Sequence, residues 1–285
     1  MIHFNCYKQD FIQRKKDIRN FISIIEKTII ETLNFFNIKS FSDKENIGIW
    51  YNDSKKTKKV AKALLIASIL VASLLFYNIY LLTDSAVNIQ GSLFVGLFAL
   101  FLGYFYTATP LRFVSRRGFG ELCIFLAFGP LLTLGSGYAI SIESIELFSS
   151  TFNTLVLLGI PFGFLTTNIL FINQFPDAKS DAITGKNHLV VTFGKKVSRW
   201  FYLIFLTLAF LSSFYLVNTL KSSEYFNENI FIIGNVLLYL FGFLIFLKLY
   251  KNYESRELVK SNINTIVLQS LFSIFYILVL NLFFI

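Results

Sequence analysis

Two aspartates spaced four residues apart are the strongest chemical signal in the sequence. They lie in NQFPDAKSDAITGKNHLVVTFGKK, where Asn173, Asp177 and Asp181 follow one of the most apolar stretches of the chain. If a helix continues about two turns beyond that stretch, this spacing places all three side chains on one helix face. Carboxylate oxygens suit Mg²⁺, which is usually held by one or two carboxylates together with substrate phosphates. The pattern therefore predicts a site for a metal-bound phosphate, and ordinary charges at a solvated helix end are the alternative.

The residues after this stripe bear on the same site. Gly185 and Lys186 stand where the chain is expected to turn back and present a cation to the carboxylates. Pro176 lies inside the stripe, and a proline removes one helical hydrogen bond and can kink the helix.

A second polar cluster lies in GYFYTATPLRFVSRRGFGELCIFLAFGPLLTLG. It contains two tyrosines, three arginines and a glutamate, namely Tyr104, Tyr106, Arg112, Arg116, Arg117 and Glu121. Guanidinium groups match phosphate oxygens, so the arginines could clamp a diphosphate. The alternative is the excess of basic residues that cytoplasmic loops of membrane proteins carry. That alternative explains the charge but not Gly118 and Gly120, nor an acidic residue at the membrane edge.

Membrane-spanning helices are the elements that must position these residues. The chain has 285 residues, of which 55% are hydrophobic and 15% charged, whereas about a quarter of the residues in soluble domains are charged. Seven apolar runs approach the roughly 20 residues that a spanning helix needs. They are Lys59–Thr83, Ser92–Pro110, Glu121–Ile140, Phe152–Ile172, Trp200–Val217, Asn229–Leu249 and Thr265–Ile285. The sequence predicts an all-α polytopic bundle at 53–285, preceded by an irregular N-terminal segment at 1–52.

The distribution of charge predicts the orientation of the bundle. Basic residues concentrate in every second loop, and these loops include the two polar clusters. Positively charged loops stay in the cytoplasm, so both clusters are expected on the cytoplasmic face of a bacterial-type plasma membrane. The formal net charge of +9 then reflects topology, and nucleic-acid binding is not expected. The sequence does not indicate an oligomeric state.

A small-molecule transporter is the alternative from another functional class. Ionisable residues inside spans usually mark a transport pathway, but the predicted spans contain almost none. No inverted repeat is visible in the sequence. Charges gathered at one membrane face favour chemistry on a lipid-borne diphosphate instead.

The two clusters resemble motifs of a known family. NQFPDAKSDAITGKNHLVVTFGKK resembles the second aspartate motif of the UbiA superfamily of membrane prenyltransferases. YTATPLRFVSRRGFGELCIFLAFGPLLTLGSGY is similar to the preceding block in the menaquinone branch, the 1,4-dihydroxy-2-naphthoate polyprenyltransferases. The similarity extends from about Lys59 to the C-terminus and is at motif level between Tyr104 and Gly194.

This resemblance implies a helical bundle that transfers a polyprenyl group from its diphosphate to an aromatic acceptor, with Mg²⁺ bridging two aspartate motifs. It assigns the metal to Asp177 and Asp181, supported by Asn173. By the same resemblance, Lys186 and Arg112 neutralise the departing diphosphate, and Tyr106 of the block YTATPLR lies near the reacting carbons. The expected acceptor is dihydroxynaphthoate, which loses its carboxylate in this branch. The alternatives are 4-hydroxybenzoate and homogentisate.

The N-terminal segment departs from the family pattern. Phe21–Gly48 resembles a degraded second helix and first aspartate motif. Asn34 and Asn37 match the two asparagines of that motif. Asp43 matches its late aspartate, a third metal-ligand candidate, but Ile38 stands where the first metal-binding aspartate is expected.

Several explanations of this departure stay open. Charged residues within Phe21–Asn37 make the segment a poor span and favour an amphipathic helix on the membrane surface. Three explanations compete. The chain is an active, divergent enzyme in which Asp43, Glu45 or Asp53 replaces the lost carboxylates, a truncated or disrupted gene product, or a homologue with a non-catalytic role.

Overall fold

A computed structural model describes residues 85–220, 227–255 and 258–281, with shorter stretches at 27, 30–31, 34, 40–42, 49–51, 66–74, 76–77 and 80–81. The chain divides into two compact units, Met1–Leu75 and Phe76–Ile285.

A small hairpin lies in the first unit. Strand β1, Ser40–Ser42, pairs antiparallel with β2, Ile49–Tyr51, and Phe41 lies opposite Trp50. Strands of three residues are too short to give a recognisable sequence pattern, so this hairpin was not predicted from the sequence. The described residues of the predicted helix Phe21–Asn37 are helical.

The second unit is a helical bundle. Its α-helices with described bounds are α1 Ala86–Thr107, α2 Phe119–Phe128, α3 Pro130–Ile140, α4 Ser150–Ile183, α5 Leu189–Leu220, α6 Glu228–Asn252 and α7 Leu258–Asn281. A 3₁₀-helix, Phe113–Ser115, precedes α2.

These helices form six candidate membrane spans among the described residues: Ala86–Thr107, Phe119–Ile140, Ser150–Ile183, Leu189–Leu220, Glu228–Asn252 and Ser261–Leu280. They confirm six of the seven predicted spans. The remaining prediction, Lys59–Thr83, lies only partly within the described residues, and those are helical.

Helix α4 is the centre of the bundle. It packs against α2, α3, α5 and α7. Aromatic side chains that are fully buried, including Phe171, Phe175, Tyr202 and Phe272, fill the interface between these helices. Their rings meet edge to face in several places, a geometry that favours aromatic pairs beyond the area they bury. Because α4 touches four helices, it is held from several sides.

A seam of glycines brings the α2–α3 junction close to α4. Helix α2 ends at Gly129, and Pro130 begins α3. A Cβ atom at Gly129 would lie 2.8 Å from the carbonyl oxygen of Gly159 and from the Cα of Gly163. Small residues that let backbones approach are typical of helix contacts in membranes. This close approach sets where α2 stands relative to α4.

We predict that Gly159→Ala destabilises the bundle. A Cβ atom there would lie 2.5 Å from Thr133 Oγ1 and 2.7 Å from the Gly129 carbonyl oxygen, and such overpacking costs about 1–3 kcal/mol. Thermal unfolding in detergent measures the effect. Gly96→Ala on α1 is the control, since its Cβ atom would meet nothing within 4 Å. Equal unfolding temperatures for the two variants would contradict the role of the seam.

Candidate functional site

The C-terminal part of α4 carries the predicted aspartate stripe. The helix is continuous from Ser150 to Ile183 and includes Pro176. Asn173, Asp177 and Asp181 therefore lie on one face of a single helix that extends beyond the apolar region. The helical continuation assumed in the sequence analysis is confirmed, and Pro176 does not interrupt it.

Asp181 has a partner on each carboxylate oxygen. Lys186 Nζ lies 2.7 Å from Oδ1, and His188 Nε2 lies 3.2 Å from Oδ2. The chain reverses at Gly185, whose φ of 74° lies in the left-handed region that favours glycine. The predicted turn therefore exists, and it brings the lysine back onto the stripe.

His188 is a site residue that the sequence analysis missed. Its side chain is 3% exposed, and its Nδ1 accepts a hydrogen bond from the backbone N–H of Val191 at 3.4 Å. It stands immediately before α5, where a side-chain acceptor satisfies a free N–H group of the first helical turn. A single histidine has no spacing pattern, so only its place directly after the predicted turn could have drawn attention to it.

The side chains of Asp177 and Asn173 differ in the hydrogen bonds that they make. The Asp177 side chain is exposed and has no hydrogen-bond partner among the described residues. Asn173 donates from Nδ2 to the Ile169 carbonyl at 2.9 Å and accepts at Oδ1 from Asn262 Nδ2 at 2.6 Å. Asn262 lies on α7 and was not predicted. It anchors the start of the stripe at Asn173.

Arg112 joins the two polar clusters. Its Nη2 donates to the Thr184 carbonyl at 3.2 Å, across 72 residues of sequence. Its backbone is in the left-handed region, with φ 39°. The structure thus places Arg112 beside the turn that follows Asp181, as the predicted site requires.

The other two arginines are placed differently. Arg116 donates to the carbonyls of Pro110 and Leu111, so it holds the shape of its own loop. Arg117 is exposed, and the described part of the chain offers its side chain no hydrogen bond. Their assignment to the substrate stays a prediction.

Tyr106 lies near the end of α1. A Cβ atom at Gly120 would lie 3.7 Å from Cε2 of its ring. The ring therefore lies beside the start of α2, where Gly120 immediately precedes Glu121.

Glu121 connects three helices at the site. Its carboxylate is 3% exposed, and Oε1 accepts from the backbone N–H of Leu189 at 3.0 Å and from Gln174 Nε2 at 3.1 Å. Leu189 begins α5, where a negative charge is favoured by the helix dipole. Glu121 on α2 thus fixes the start of α5 against α4. The Oε2 atom and Gln174 Oε1 are buried without partners among the described residues.

The predicted first motif has only limited structural description. Asn34 is helical and exposed and belongs to the first unit. Asn37 and Asp43 lie outside the described residues. Their roles stay predictions.

The donor set at the stripe fits a magnesium ion only together with a ligand. The described residues contain no group of three or more His, Cys, Asp or Glu side chains that could hold a metal. Asp177 and Asp181 offer hard carboxylate oxygens on one face, and Mg²⁺ is commonly held by one or two carboxylates plus substrate phosphates. The nearby Lys186 and Arg112 suit the phosphate part of such a complex.

Comparison with known proteins identifies the family. Residues 54–271, more than half of the chain, match the UbiA prenyltransferase family. The chain therefore belongs to that family, and the prediction of its membership is confirmed. Residues 1–53 lie outside the match.

Individual relatives are more distant. The chain is 28% identical over 144 residues to a 1,4-dihydroxy-2-naphthoate octaprenyltransferase of Haemophilus influenzae, covering 50% of this chain and 44% of that protein. It is 32% identical over 124 residues to a chloroplastic 2-carboxy-1,4-naphthoquinone phytyltransferase of Arabidopsis thaliana, covering 41% and 31%.

A further similarity is short. Over 46 residues the chain is 44% identical to an octanoyltransferase of Buchnera aphidicola, covering 16% of this chain and 22% of that protein. The chain spans less than half the length of each of these relatives. No solved structure matches.

We predict that Glu121→Ala destabilises the bundle, whereas Glu121→Gln does not. Alanine leaves the Leu189 N–H and the Gln174 amide without their acceptor, at about 1–3 kcal/mol for each buried group. Glutamine keeps a carbonyl acceptor and adds an N–H that can donate to the unpartnered Gln174 Oε1. Thermal unfolding in detergent separates the variants. An alanine variant as stable as the parent protein would show that this junction does not hold the helices.

Proposed function

We propose that this member of the UbiA prenyltransferase family transfers a polyprenyl group from its diphosphate to 1,4-dihydroxy-2-naphthoate, with Mg²⁺ at Asp177 and Asp181. The observation that carries the proposal is the single helix face on which both carboxylates lie, bordered by Lys186 and Arg112. Two relatives are a 1,4-dihydroxy-2-naphthoate octaprenyltransferase and a 2-carboxy-1,4-naphthoquinone phytyltransferase, which supports this acceptor.

The charges at the site suit a lipid-borne diphosphate. Asp177 is exposed, and Lys186 keeps 41% of its side chain exposed while it contacts Asp181. Lys186 can therefore turn from Asp181 to a phosphate oxygen. Arg112 uses only Nη2 for the Thr184 carbonyl, so its other nitrogens remain for phosphate within the described part of the site. Both cations then stabilise the charge of the leaving diphosphate.

Magnesium and the aromatic ring supply the remaining elements. Bound at Asp177 and Asp181, Mg²⁺ would neutralise charge on the leaving diphosphate oxygens. Tyr106, whose ring lies beside Gly120 at the start of α2, would offer an aromatic face, which stabilises a nearby cation such as the allylic group left behind. The chain's own residues thus provide positioning, charge neutralisation and a face for the developing carbocation.

The orientation of the site follows from charge. Exposed or partly exposed basic residues surround this end of the bundle, among them Arg117, Lys179, Lys195 and Lys196, whereas Glu143 and Glu146 lie in the loop between α3 and α4. Positively charged loops remain in the cytoplasm. We therefore place the site on the cytoplasmic face of the membrane.

The N-terminal residues bear on whether the chain is active. Asn34, Asn37 and Asp43 lie before residue 54, where the family match begins. Ile38 stands where the resemblance places the first aspartate of that motif. Catalysis would then depend on the Asp177–Asp181 stripe, and an inactive homologue is the competing proposal.

We predict that Asp177→Asn and Asp181→Asn each abolish prenyl transfer. Membranes containing the chain are incubated with radiolabelled polyprenyl diphosphate, Mg²⁺ and dihydroxynaphthoate, and the prenylated product is quantified. Each variant should lower the rate by about 100-fold or more, as loss of electrostatic transition-state stabilisation does in other enzymes, and chelation should remove product from the parent. Glu146→Gln, in the loop between α3 and α4, is the matched control and should retain activity.

The same assay distinguishes the alternatives. Product formed only with 4-hydroxybenzoate or homogentisate would replace the naphthoate acceptor in the proposal. A folded parent protein that forms no product with any of the three acceptors would favour the inactive homologue.

A further inference from the structure

The two partners of Asp181 differ in how firmly they are held. The side chain of Lys186, which follows the turn at Gly185, is 41% exposed. The side chain of His188, immediately before α5, is 3% exposed. Lysine side chains have many rotamers and lose them at a cost when fixed. The contact of Lys186 with Oδ1 is therefore the one that a ligand can replace, whereas the contact of His188 with Oδ2 stays in place.

The hydrogen bonds of His188 determine its tautomer. Nδ1 accepts from the Val191 backbone N–H at 3.4 Å, so in neutral imidazole the proton lies on Nε2. Nε2 then donates to Asp181 Oδ2 at 3.2 Å. The His188 carbonyl also accepts from the Thr192 N–H at 2.9 Å. Because both ring nitrogens make hydrogen bonds, the ring cannot rotate without losing one of them.

A partner that holds one oxygen of a carboxylate also fixes the direction in which the other oxygen points. With Oδ2 held by His188, Asp181 keeps one orientation when Lys186 leaves Oδ1. Partners of this kind orient metal-binding carboxylates, and their loss typically costs 10–100-fold in metal affinity. Asp177, one turn earlier on the same face, has no such partner among the described residues.

We propose that His188 is a positioning residue that orients Asp181, so that Oδ1 can pass from Lys186 to a divalent cation carrying diphosphate. The inference rests on the proposed function and adds to it a residue outside the aspartate stripe. Lys186 contacts Oδ1 at 2.7 Å and compensates the charge of Asp181. On diphosphate binding, Lys186 would move to a phosphate oxygen, which would leave Oδ1 available to hold a divalent cation.

Two substitutions separate positioning from helix capping. His188→Asn keeps an acceptor for the Val191 N–H, since asparagine is a favoured N-cap residue, but its shorter side chain does not reach Asp181. His188→Gln places an amide N–H near the position of Nε2 and gives up the cap. Capping alone predicts a defect in the glutamine variant, and positioning predicts a defect in the asparagine variant.

The test measures Mn²⁺ binding to the purified full chain in detergent by electron paramagnetic resonance, with inorganic diphosphate present. We expect His188→Asn to weaken Mn²⁺ binding 10–100-fold with little change in unfolding temperature. His188→Gln should restore affinity to within about threefold of the parent, because it restores the donor to Asp181. In the transfer assay the asparagine variant should need correspondingly more Mg²⁺ for half-maximal rate.

The outcomes distinguish this inference from the proposed function. Asp181→Asn must lose Mn²⁺ binding that the parent shows; if it does not, or if the parent binds no Mn²⁺, the proposed metal site fails and the inference with it. If Asp181 is required but His188→Asn binds as tightly as the parent, only the positioning role is overturned. A glutamine variant as weak as the asparagine variant would overturn it too.

Discussion

A buried carboxylate where the ends of three helices meet is the contact on which the candidate site depends. Glu121 on α2 accepts hydrogen bonds from Gln174 on α4 and from the first N–H of α5, at Leu189. A charge this deeply buried is costly unless it is hydrogen-bonded, so the three helix ends are held together by the need to satisfy it. Since His188 directly precedes Leu189, this contact also decides where the partners of Asp181 stand.

The candidate site is therefore formed by contacts between several helices and loops, not by one loop alone. Glu121 fixes the start of α5, His188 extends from that start to Asp181, and Lys186 closes the turn in between. Arg112 joins the first polar cluster to the same turn through the Thr184 carbonyl. Below them, the glycine seam between the α2–α3 junction and α4 sets the approach of the helices. The geometry of the candidate site thus depends on helix packing within the bundle.

The family match and the division into two compact units have different boundaries at the N-terminal side. The match begins at residue 54, whereas the first unit, Met1–Leu75, contains the hairpin of β1 and β2 and ends at Leu75. The second aspartate motif and five of the six candidate spans lie within the match, and the sixth, Ser261–Leu280, extends past its end at residue 271. The carboxylates expected from a first motif lie outside the match, which leaves Asp177 and Asp181 as the candidate metal ligands inside it.

The sequence by itself determined the membrane spans, the aspartate stripe and the turn at Gly185, because these depend on local hydrophobicity, helical periodicity and backbone freedom. It also indicated Arg112 and Tyr106 through a family resemblance. It could not assign His188, Asn262 or Gln174, whose partners lie on other elements and follow no spacing rule. The resemblance had singled out Arg112, but only the fold shows what the arginines contact: Arg112 donates to the Thr184 carbonyl and Arg116 to carbonyls of its own loop. Tertiary structure decided these roles because a buried polar group takes whichever partner the packing of distant helices brings within hydrogen-bond distance.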